Sequence, residues 1–535
     1  MTMQLKKCAA ALAVAGFMVA AGAPALAATP KDQLIVGMNM VNLTSMDPHN
    51  TNSFESYHVL GNVYDTLVRA DPKDPGKLLP GVAQTWTVAA DGAITFKLRS
   101  DVKFHTGRAM TADDVAYSLR RAVKLGLLGS SYFVQWGYTA QNVDTKFVAK
   151  DATTFVMEPV LPLAANLKLF TLARVVGSIL DKEVVAKNEK DGDMGRGWLA
   201  SHAAGSGPFS LAQWNPNDVL FLNRTEGYWG GSAKLKRVVV RHLPESQNER
   251  LQLEKGDLDV GFQLVSADID GLAQNKNVVI DRLSGSGFYY LLLNMKDPDF
   301  AKPAVRKALR YCIDYKGING SVMKNYGEPM TTMVPADVPG YVAGIGNKYD
   351  PDKCKKDLAA AGYPNGMKKQ LLALSSVPYA DLATAIQQNF AKAGLQIEIR
   401  TGNGDQAYGP LRNRTFEMGV GRTASAVPTD ADSWLRTHVY NPDNSDGAKL
   451  ENLQGWRSSF SLPEVNKLIE EAAASSDEKK RVEMYAKALK LAEEAGPSIF
   501  PVSRRVDPYA RSARLRNYVG NPNWMTRWDV VDKAN

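Results

Sequence analysis

The sequence predicts an α/β fold divided between two lobes. Residues Ile94–Leu98 alternate apolar and polar side chains, the period of a half-buried strand, and Asp91-Gly92 supplies a turn before them. Thr111, followed three residues later by Asp114, predicts the capped start of a helix. The chain has 535 residues, whereas single hydrophobic cores stop growing at roughly 250 to 300 residues. We therefore expect more than one core.

The first 27 residues are typical of a secretory signal peptide. Lys6-Lys7 precedes an apolar stretch from Ala9 to Ala23, which is too short to span a bilayer comfortably. Ala25-Leu26-Ala27 is an A-x-A cleavage signal, so we expect the mature protein to begin at Ala28. The alternative, a retained membrane anchor, is disfavoured by the short apolar run. A soluble mature protein would be retained in a Gram-negative periplasm.

The charge of the chain sets its solubility rather than its function. The net charge is +8, or about +6 without the two lysines of the signal, and it is spread along the chain. Without a basic cluster, nucleic acid is an unsupported partner. No internal repeat or heptad run stands out.

Two extended apolar runs mark where the chain passes between the lobes. Phe288–Asn294 is a near-continuous apolar strand of the kind that is buried on both faces. Ile499–Val502 follows a helix whose start we predict as a capping box of Ser475 and Glu478, and whose end is Gly496-Pro497.

Further blocks follow one another in a fixed order along the chain. They are Gly205-Ser206-Gly207-Pro208-Phe209, Asn223-Arg224 through Tyr228-Trp229-Gly230, Gly256-Asp257-Leu258-Asp259, Asn294 with Val305-Arg306 and Ile313-Asp314, and Tyr349-Asp350-Pro351 with Gly362-Tyr363-Pro364. Together with the segment from Leu79 to Arg121, this series resembles the family 5 extracellular solute-binding proteins, the peptide- and nickel-binding receptors of ABC importers.

The resemblance implies a two-lobed α/β periplasmic binding protein, type II-like, with an enlarged first lobe and two hinge strands. Lobe I would comprise residues 28–290 and 505–535, and lobe II residues 291–504, after a signal peptide of residues 1–27. The implied function is a monomeric receptor without cofactor or metal. It binds a peptide or peptide-like solute between the lobes and delivers it to an ABC permease in the inner membrane. The alternative solute is an oligosaccharide, an opine or a metal chelate.

The same resemblance places the ligand against four segments. Their candidate binding residues are Asn52, Ser53, Phe54 and Glu55 in the first, Tyr132 and Trp136 in the second, Ser284 and Phe288 in the third, and Arg422, Thr423, Asp430 and Asp432 in the fourth. For each aromatic residue, packing in a core is an equally good interpretation.

The fourth segment departs from the peptide-binding pattern of the family. Where that pattern has a tryptophan and an aspartate that pairs with the peptide ammonium, this chain has small or apolar residues between Ala424 and Val427. Either Asp430 or Asp432 takes over the role of the aspartate, or the ligand has no free amino terminus. Arg422 could hold an anionic group of a different ligand, or be a solvated surface charge.

Cys312 and Cys354 stand where the family usually has alanine, in two helices that it packs in the same lobe. In an oxidising compartment such a pair favours a disulfide, which would leave the ligand site untouched. Two separate buried thiols remain the alternative, because sequence gives no Cα separation.

A secreted hydrolase is the remote alternative to a receptor. The chain has no G-x-S-x-G elbow, Walker loop or H-E-x-x-H motif, and its six histidines are scattered without ligand spacing. His105 lies in a segment that forms a structural turn in the family that this chain resembles. We therefore expect no enzymatic activity.

Overall fold

The computed structural model describes residues 29–74, 76–423, 430–475, 477–521 and 523–534, and only the backbone of Ser286. The predicted signal peptide, the start at Ala28 and the stretch between Ala424 and Val427 lie outside the described residues. Among the residues described, no helix combines the length and the apolar character that crossing a membrane requires.

The described residues form nineteen strands. They are β1 (Gln33–Met38), β2 (Val68–Ala70), β3 (Leu78–Pro80), β4 (Ala83–Val88), β5 (Ile94–Leu98), β6 (Phe147–Asp151), β7 (Thr154–Met157), β8 (Phe209–Asn215), β9 (Val219–Arg224), β10 (Arg237–His242), β11 (Val260–Gly261), β12 (Val278–Leu293), β13 (Gly327–Pro329), β14 (Lys368–Leu374), β15 (Gln396–Gly402), β16 (Met418–Arg422), β17 (Ile499–Ser512), β18 (Leu515–Arg516) and β19 (Asp532–Lys533).

Eighteen α-helices lie between these strands in the described part of the chain. They are α1 (Phe54–Val63), α2 (Ala112–Lys124), α3 (Ser131–Val134), α4 (Val143–Lys146), α5 (Ala165–Leu172), α6 (Lys182–Lys187), α7 (Arg196–Leu199), α8 (Ser246–Lys255), α9 (Ser266–Leu272), α10 (Pro303–Leu309), α11 (Tyr315–Gly320), α12 (Pro351–Ala360), α13 (Tyr379–Ala391), α14 (Gly404–Arg412), α15 (Ala431–Val439), α16 (Gln454–Arg457), α17 (Pro463–Ala474) and α18 (Glu478–Glu494). Short 3-10 helices include Val175–Gly177 and Arg310–Cys312.

One eleven-stranded sheet connects both parts of the molecule. Its order is β15-β14-β16-β12-β17-β11-β1-β10-β9-β8, with β13 paired to β17. Strands from the second half of the chain occupy one end and strands from the first half the other. The antiparallel pair β12 and β17 lies between them and contacts both ends. The predicted apolar runs Phe288–Asn294 and Ile499–Val502 lie largely in this pair, which joins the two ends of the sheet.

A bulge interrupts the pair of crossing strands. Ser284 pairs with Val506 and Phe288 with Arg504, so the three residues between Ser284 and Phe288 lie opposite the single residue Arg505. A Cβ atom on Gly285 would lie 2.2 Å from Nε of Arg505. A larger residue at position 285 would therefore displace the buried guanidinium of Arg505, which lies against the backbone here.

A second sheet of four strands, in the order β4-β5-β7-β6, carries its own core with helix α2. The predicted strand Ile94–Leu98 is β5, with its apolar side chains buried. The predicted capping box is also confirmed: the Asp114 carboxylate accepts from the backbone N–H of Thr111 at 2.9 Å, and the helix begins at Ala112.

The capping box predicted for the last long helix is wrong. The Asp477 side chain caps α18 by accepting from the backbone N–H of Lys480 at 3.2 Å. Ser475 instead ends the preceding helix, because its backbone N–H still donates to the carbonyls of Glu471 and Ala472.

The structure joins Cys312 and Cys354 by a disulfide, the first of the two alternatives that the sequence leaves open. The two Cα atoms are 5.3 Å apart, and the bond joins the 3-10 helix Arg310–Cys312 to α12. Both cysteines are fully buried in the core beneath β12, β14 and β16.

Candidate functional site

A cavity of about 470 Å³ lies between the two ends of the large sheet. Its walls come from the start of α1 and the loop before it, the region of α3, the end of α5, the loops before α13 and α14, the end of β16, and helices α15 and α16. The crossing strands contribute Tyr289 and Asp507 to the cavity, and the C-terminal segment contributes Trp524.

Nine of the twelve residues predicted to bind the ligand line this cavity. They are Asn52, Ser53, Phe54, Glu55, Tyr132, Trp136, Arg422, Thr423 and Asp432. The structure therefore brings together the first, second and fourth of the predicted segments. Whether these residues contact a ligand remains a prediction.

Phe288 does not line the cavity, so this prediction places the residue wrongly. Its side chain is fully buried in the core around α15, where the ring stacks on Trp434 with centroids 6.1 Å apart and contacts His438 at 4.3 Å. A strand buried on both faces turns alternate side chains into opposite cores, and Phe288 points into one of them.

Ser284 and Asp430 also lie away from the cavity lining. Ser284 is exposed and is the last residue of β12 before the bulge. Asp430 caps α15, where its carboxylate accepts from the backbone N–H of Asp432 at 2.9 Å and pairs with Arg481 of α18. Asp430 faces a separate cavity of about 560 Å³ instead.

Arg422 forms the centre of an ion-pair and aromatic cluster on the cavity wall. Its guanidinium lies 3.5 Å from the carboxylate of Asp507 and 4.7 Å from the ring centroid of Trp524. It also lies 5.8 Å from the ring of Phe54 in α1. Since Arg422 ends β16 and Phe54 begins α1, this cluster joins the two sides of the cavity.

Asp507 is engaged by three protein donors. It accepts from Nε1 of Trp524 at 2.8 Å and pairs with Nε of Arg505 at 3.0 Å, in addition to Arg422. Asp432 is similarly engaged: both of its oxygens accept from Arg436 at 2.8 Å, and Tyr485 donates to it at 2.9 Å.

Glu55 is the cavity carboxyl with the fewest charged partners. It is almost fully buried, and burial raises its pKa, although its own backbone N–H and Arg422 act in the opposite direction. Nε2 of Gln263 donates to it at 3.4 Å. A carboxyl with a raised pKa keeps its proton more readily and is a weaker anchor for a cation.

Gln263 and its neighbour Phe262 are held in the cavity wall by Glu249 of α8. The Glu249 carboxyl accepts from the backbone N–H of Phe262 at 2.5 Å and of Gln263 at 3.0 Å. Burial raises the pKa of Glu249 to about 8. Phe262 then stacks on the buried His58 with ring centroids 4.5 Å apart.

The sequence analysis missed several cavity residues, among them Arg174, Arg457, Tyr379, Tyr408, Asp507 and Trp524. The sequence around Arg174 contains one feature that could have indicated a role in binding: it is a single arginine within the otherwise apolar run Leu172–Val176. Among the described residues, no group of three His, Cys, Asp or Glu side chains is placed to hold a metal ion.

Comparison with known proteins agrees with this architecture. Residues 77–446 match the bacterial extracellular solute-binding proteins, family 5 (middle region). A "Probable D,D-dipeptide-binding periplasmic protein DdpA" of Escherichia coli strain K12 is 26% identical over 505 residues, which cover 93% of each chain.

Two solved structures share the fold. The ABC transporter-associated periplasmic binding protein DppA of Helicobacter pylori, in complex with the peptide STSA, has a TM-score of 0.82 and 24% identity over 94% of this chain and 98% of that one. MoaA of A. tumefaciens R10, in complex with mannopinic acid, has a TM-score of 0.82 and 23% identity over 95% and 100%.

The fold and its cavity define a two-lobed α/β solute-binding protein, as the sequence predicts. Because the family match covers more than half of the chain, this protein belongs to the bacterial extracellular solute-binding proteins, family 5. Members of this family are binding receptors.

Proposed function

We propose that this protein is the periplasmic receptor of an ABC importer, that it encloses one small peptide or peptide-like solute in the cavity, and that it delivers this solute to a membrane permease. The observation that carries the proposal is the cavity of about 470 Å³, walled by aromatic and charged side chains from both ends of the sheet. This volume lies within the range of roughly 300 to 1,000 Å³ that small-molecule sites occupy.

The chemistry of the cavity supports binding rather than catalysis. Asp432 and Asp507 are engaged by arginines. Glu55 hydrogen-bonds to Gln263, Asn42 and Ser53, and none of its described hydrogen bonds joins it to a histidine that could act as a base for the Ser53 hydroxyl. The peptide-binding relatives favour a peptide, whereas the complex of MoaA with mannopinic acid supports an opine-like solute as the second candidate.

The proposal includes a soluble mature form that starts at Ala28, with lobe I formed by residues 28–290 and 505–535 and lobe II by residues 291–504. The position of β12 and β17 between the two ends of the sheet supports these boundaries.

Mass spectrometry of protein purified from the periplasm tests the proposal. Under denaturing conditions the mass should equal that of residues 28–535, and under native conditions it should exceed this value by one small solute. Released solute should bind again in calorimetry with one site per chain. Lipid-modified protein would contradict the proposed form, and hydrolysis of the solute would contradict the receptor function.

A further inference from the structure

We propose that the solute carries an anionic group, best matched by a carboxylate, and that Arg174 binds this group. The inference rests on the proposed function and specifies the ligand chemistry of the same cavity. It concerns a residue that lies outside the four segments predicted from the sequence.

Arg174 is a buried cation on the cavity wall. Its side chain lines the cavity although the residue is only 3% exposed. Its Nε and Nη1 atoms find no hydrogen-bond acceptor among the described residues. Its backbone is fixed, because its N–H donates to the carbonyl of Thr171 at 3.0 Å and its carbonyl accepts from Gly177 at 2.8 Å.

The protein supplies no counter-charge for this cation. No carboxylate of the described residues lies within 4 Å of a side-chain nitrogen of Arg174, since it takes part in none of their ion pairs. The residues outside the description, 1–28, 75, 424–429, 476, 522 and 535, include no aspartate or glutamate side chain.

Two tyrosines hold the guanidinium instead. Its carbon lies 5.4 Å from the ring centroid of Tyr132 and 5.8 Å from that of Tyr57. Tyr57 also shares a side-chain hydrogen bond with the guanidinium. Aromatic rings and a neutral hydroxyl position the planar fork of an arginine without neutralising its charge. Because a buried unpaired charge opposes folding, an arginine here is best explained by an anion that arrives with the ligand.

The rest of the cavity favours the same sign of ligand charge. Arg457 is another buried cavity arginine, and its Nε donates to the backbone carbonyl of Glu451 at 2.5 Å rather than to a carboxylate. Asp432 and Asp507 are already paired with arginines, and the pKa of Glu55 is raised by burial. The remaining cavity carboxylate, Asp405, is fully exposed and lies 4.0 Å from Arg412. An anionic group therefore finds more uncompensated buried partners here than an ammonium group.

The identity of the released solute and matched titrations test this inference. The solute that co-purifies with the wild-type protein should contain a carboxylate or another anionic group. The probes for calorimetry are alanyl-alanine and alanyl-glutamine, their C-terminal amides, and mannopinic acid. The free acid of a bound probe should bind roughly tenfold to a hundredfold more tightly than its amide.

Substitutions at residue 174 assign this preference to the arginine. Arg174→Gln should remove the preference for the acid over the amide, and Arg174→Lys should retain part of it. Arg196→Gln, at an exposed arginine of α7, removes the same charge and should behave as wild type. Circular dichroism of the ligand-free Arg174→Gln variant should show the wild-type fold, so that the lost preference reports the missing charge and not unfolding.

Two results would overturn the inference while leaving the receptor function intact. One is a co-purifying solute without an anionic group. The other is a bound acid whose affinity is the same in the wild type and in Arg174→Gln. Binding of none of the probes and no co-purifying solute would instead remove the proposed function, and the inference with it.

Discussion

Glu249 illustrates how a single buried group can shape the cavity without facing it. Its carboxyl holds the backbone of Phe262 and Gln263, and no cation lies among the causes of its raised pKa. Burial alone therefore makes the protonated form the stable one over a wide pH range. The hydrogen bonds from Glu249 thus help to position Phe262 and Gln263 in the cavity wall.

The raised pKa of Glu249 should make the stability of the protein depend on pH. This pKa is about 8 in the folded protein against an ordinary 4.5, so the native state holds a proton that the unfolded chain lacks between these values. The free energy of unfolding should therefore fall as the pH rises from 5 to 8. Glu249→Gln should flatten this fall by at least about 1.4 kcal/mol, the equivalent of one pKa unit.

Urea unfolding at several pH values measures the effect. Glu254→Gln, on the same helix but at a partly exposed glutamate paired with Arg250, is the matched control and should keep the wild-type slope. The comparison of slopes also cancels Glu493, whose pKa burial raises to about 7 in both proteins. Equal slopes in wild type and Glu249→Gln would contradict the assignment.

At the scale of elements, the sequence predicts a helix start correctly where the cap depends only on residues next to it in the chain. The start of α2 depends on Thr111 and Asp114 alone, and the structure has the predicted cap. The start of α18 depends on where α17 ends, and Ser475 is held by α17. The sequence predicts Ser475 as the cap, whereas α17 extends to Ala474 and Asp477 caps α18.

The candidate site shows the same division. The family resemblance predicts the loop before α1 and the end of β16 as parts of the binding site, and both line the cavity. Phe288 is misplaced because neighbouring residues of its strand face opposite sides: Tyr289 lines the cavity, whereas Phe288 packs in the core around α15. Arg174 and Trp524 depend on contacts between distant segments, which no local pattern encodes.

The disulfide should stabilise the packing of the 3-10 helix Arg310–Cys312 against α12 without affecting the cavity. Cys312 and Cys354 are 42 residues apart, a loop whose closure is worth about 4 kcal/mol in the chain-entropy model. Neither cysteine lines the cavity. The double variant Cys312→Ala/Cys354→Ala should unfold at a lower denaturant concentration by up to this amount, with solute affinity unchanged.

Chemical denaturation and calorimetry on the same samples check this prediction. Wild-type protein in reducing agent, in which the disulfide is broken, provides a second measurement. A loss of affinity in the folded double variant would show that the bond positions the cavity walls. An unchanged unfolding midpoint would show that it adds no stability.

At the scale of the molecule, β12 and β17 connect the two ends of the sheet, and a shared apolar core and the hydrogen bond from Tyr326 to the carbonyl of Leu264 add to this connection. Across the cavity, Arg422 reaches from β16 to Phe54 and Trp524, and the backbone N–H of Ala164 donates to the carbonyl of Ala473 at 3.2 Å. A pair of connecting strands beside a cavity is suited to hinge closure around a ligand.

Arg422 should therefore bias the equilibrium between open and closed forms. Arg422→Gln removes the ion pair with Asp507 and the contacts with both aromatic rings, so the ligand-free variant should open further than wild type. Small-angle scattering measures this as a larger radius of gyration, against about 23 Å for a fully compact chain of some 500 residues. Saturating solute should shrink both proteins towards one value.

Arg400→Gln separates a hinge effect from the loss of a charge. Arg400 is an exposed arginine of β15 whose nearby acid is Glu398 of the same strand, so its loss leaves the cavity contacts intact. This control should scatter as wild type does. If Arg422→Gln also scatters as wild type, Arg422 does not hold the two sides together. If solute leaves the radius of wild type unchanged, β12 and β17 are a rigid connection, and the cavity must admit its ligand by moving loops alone.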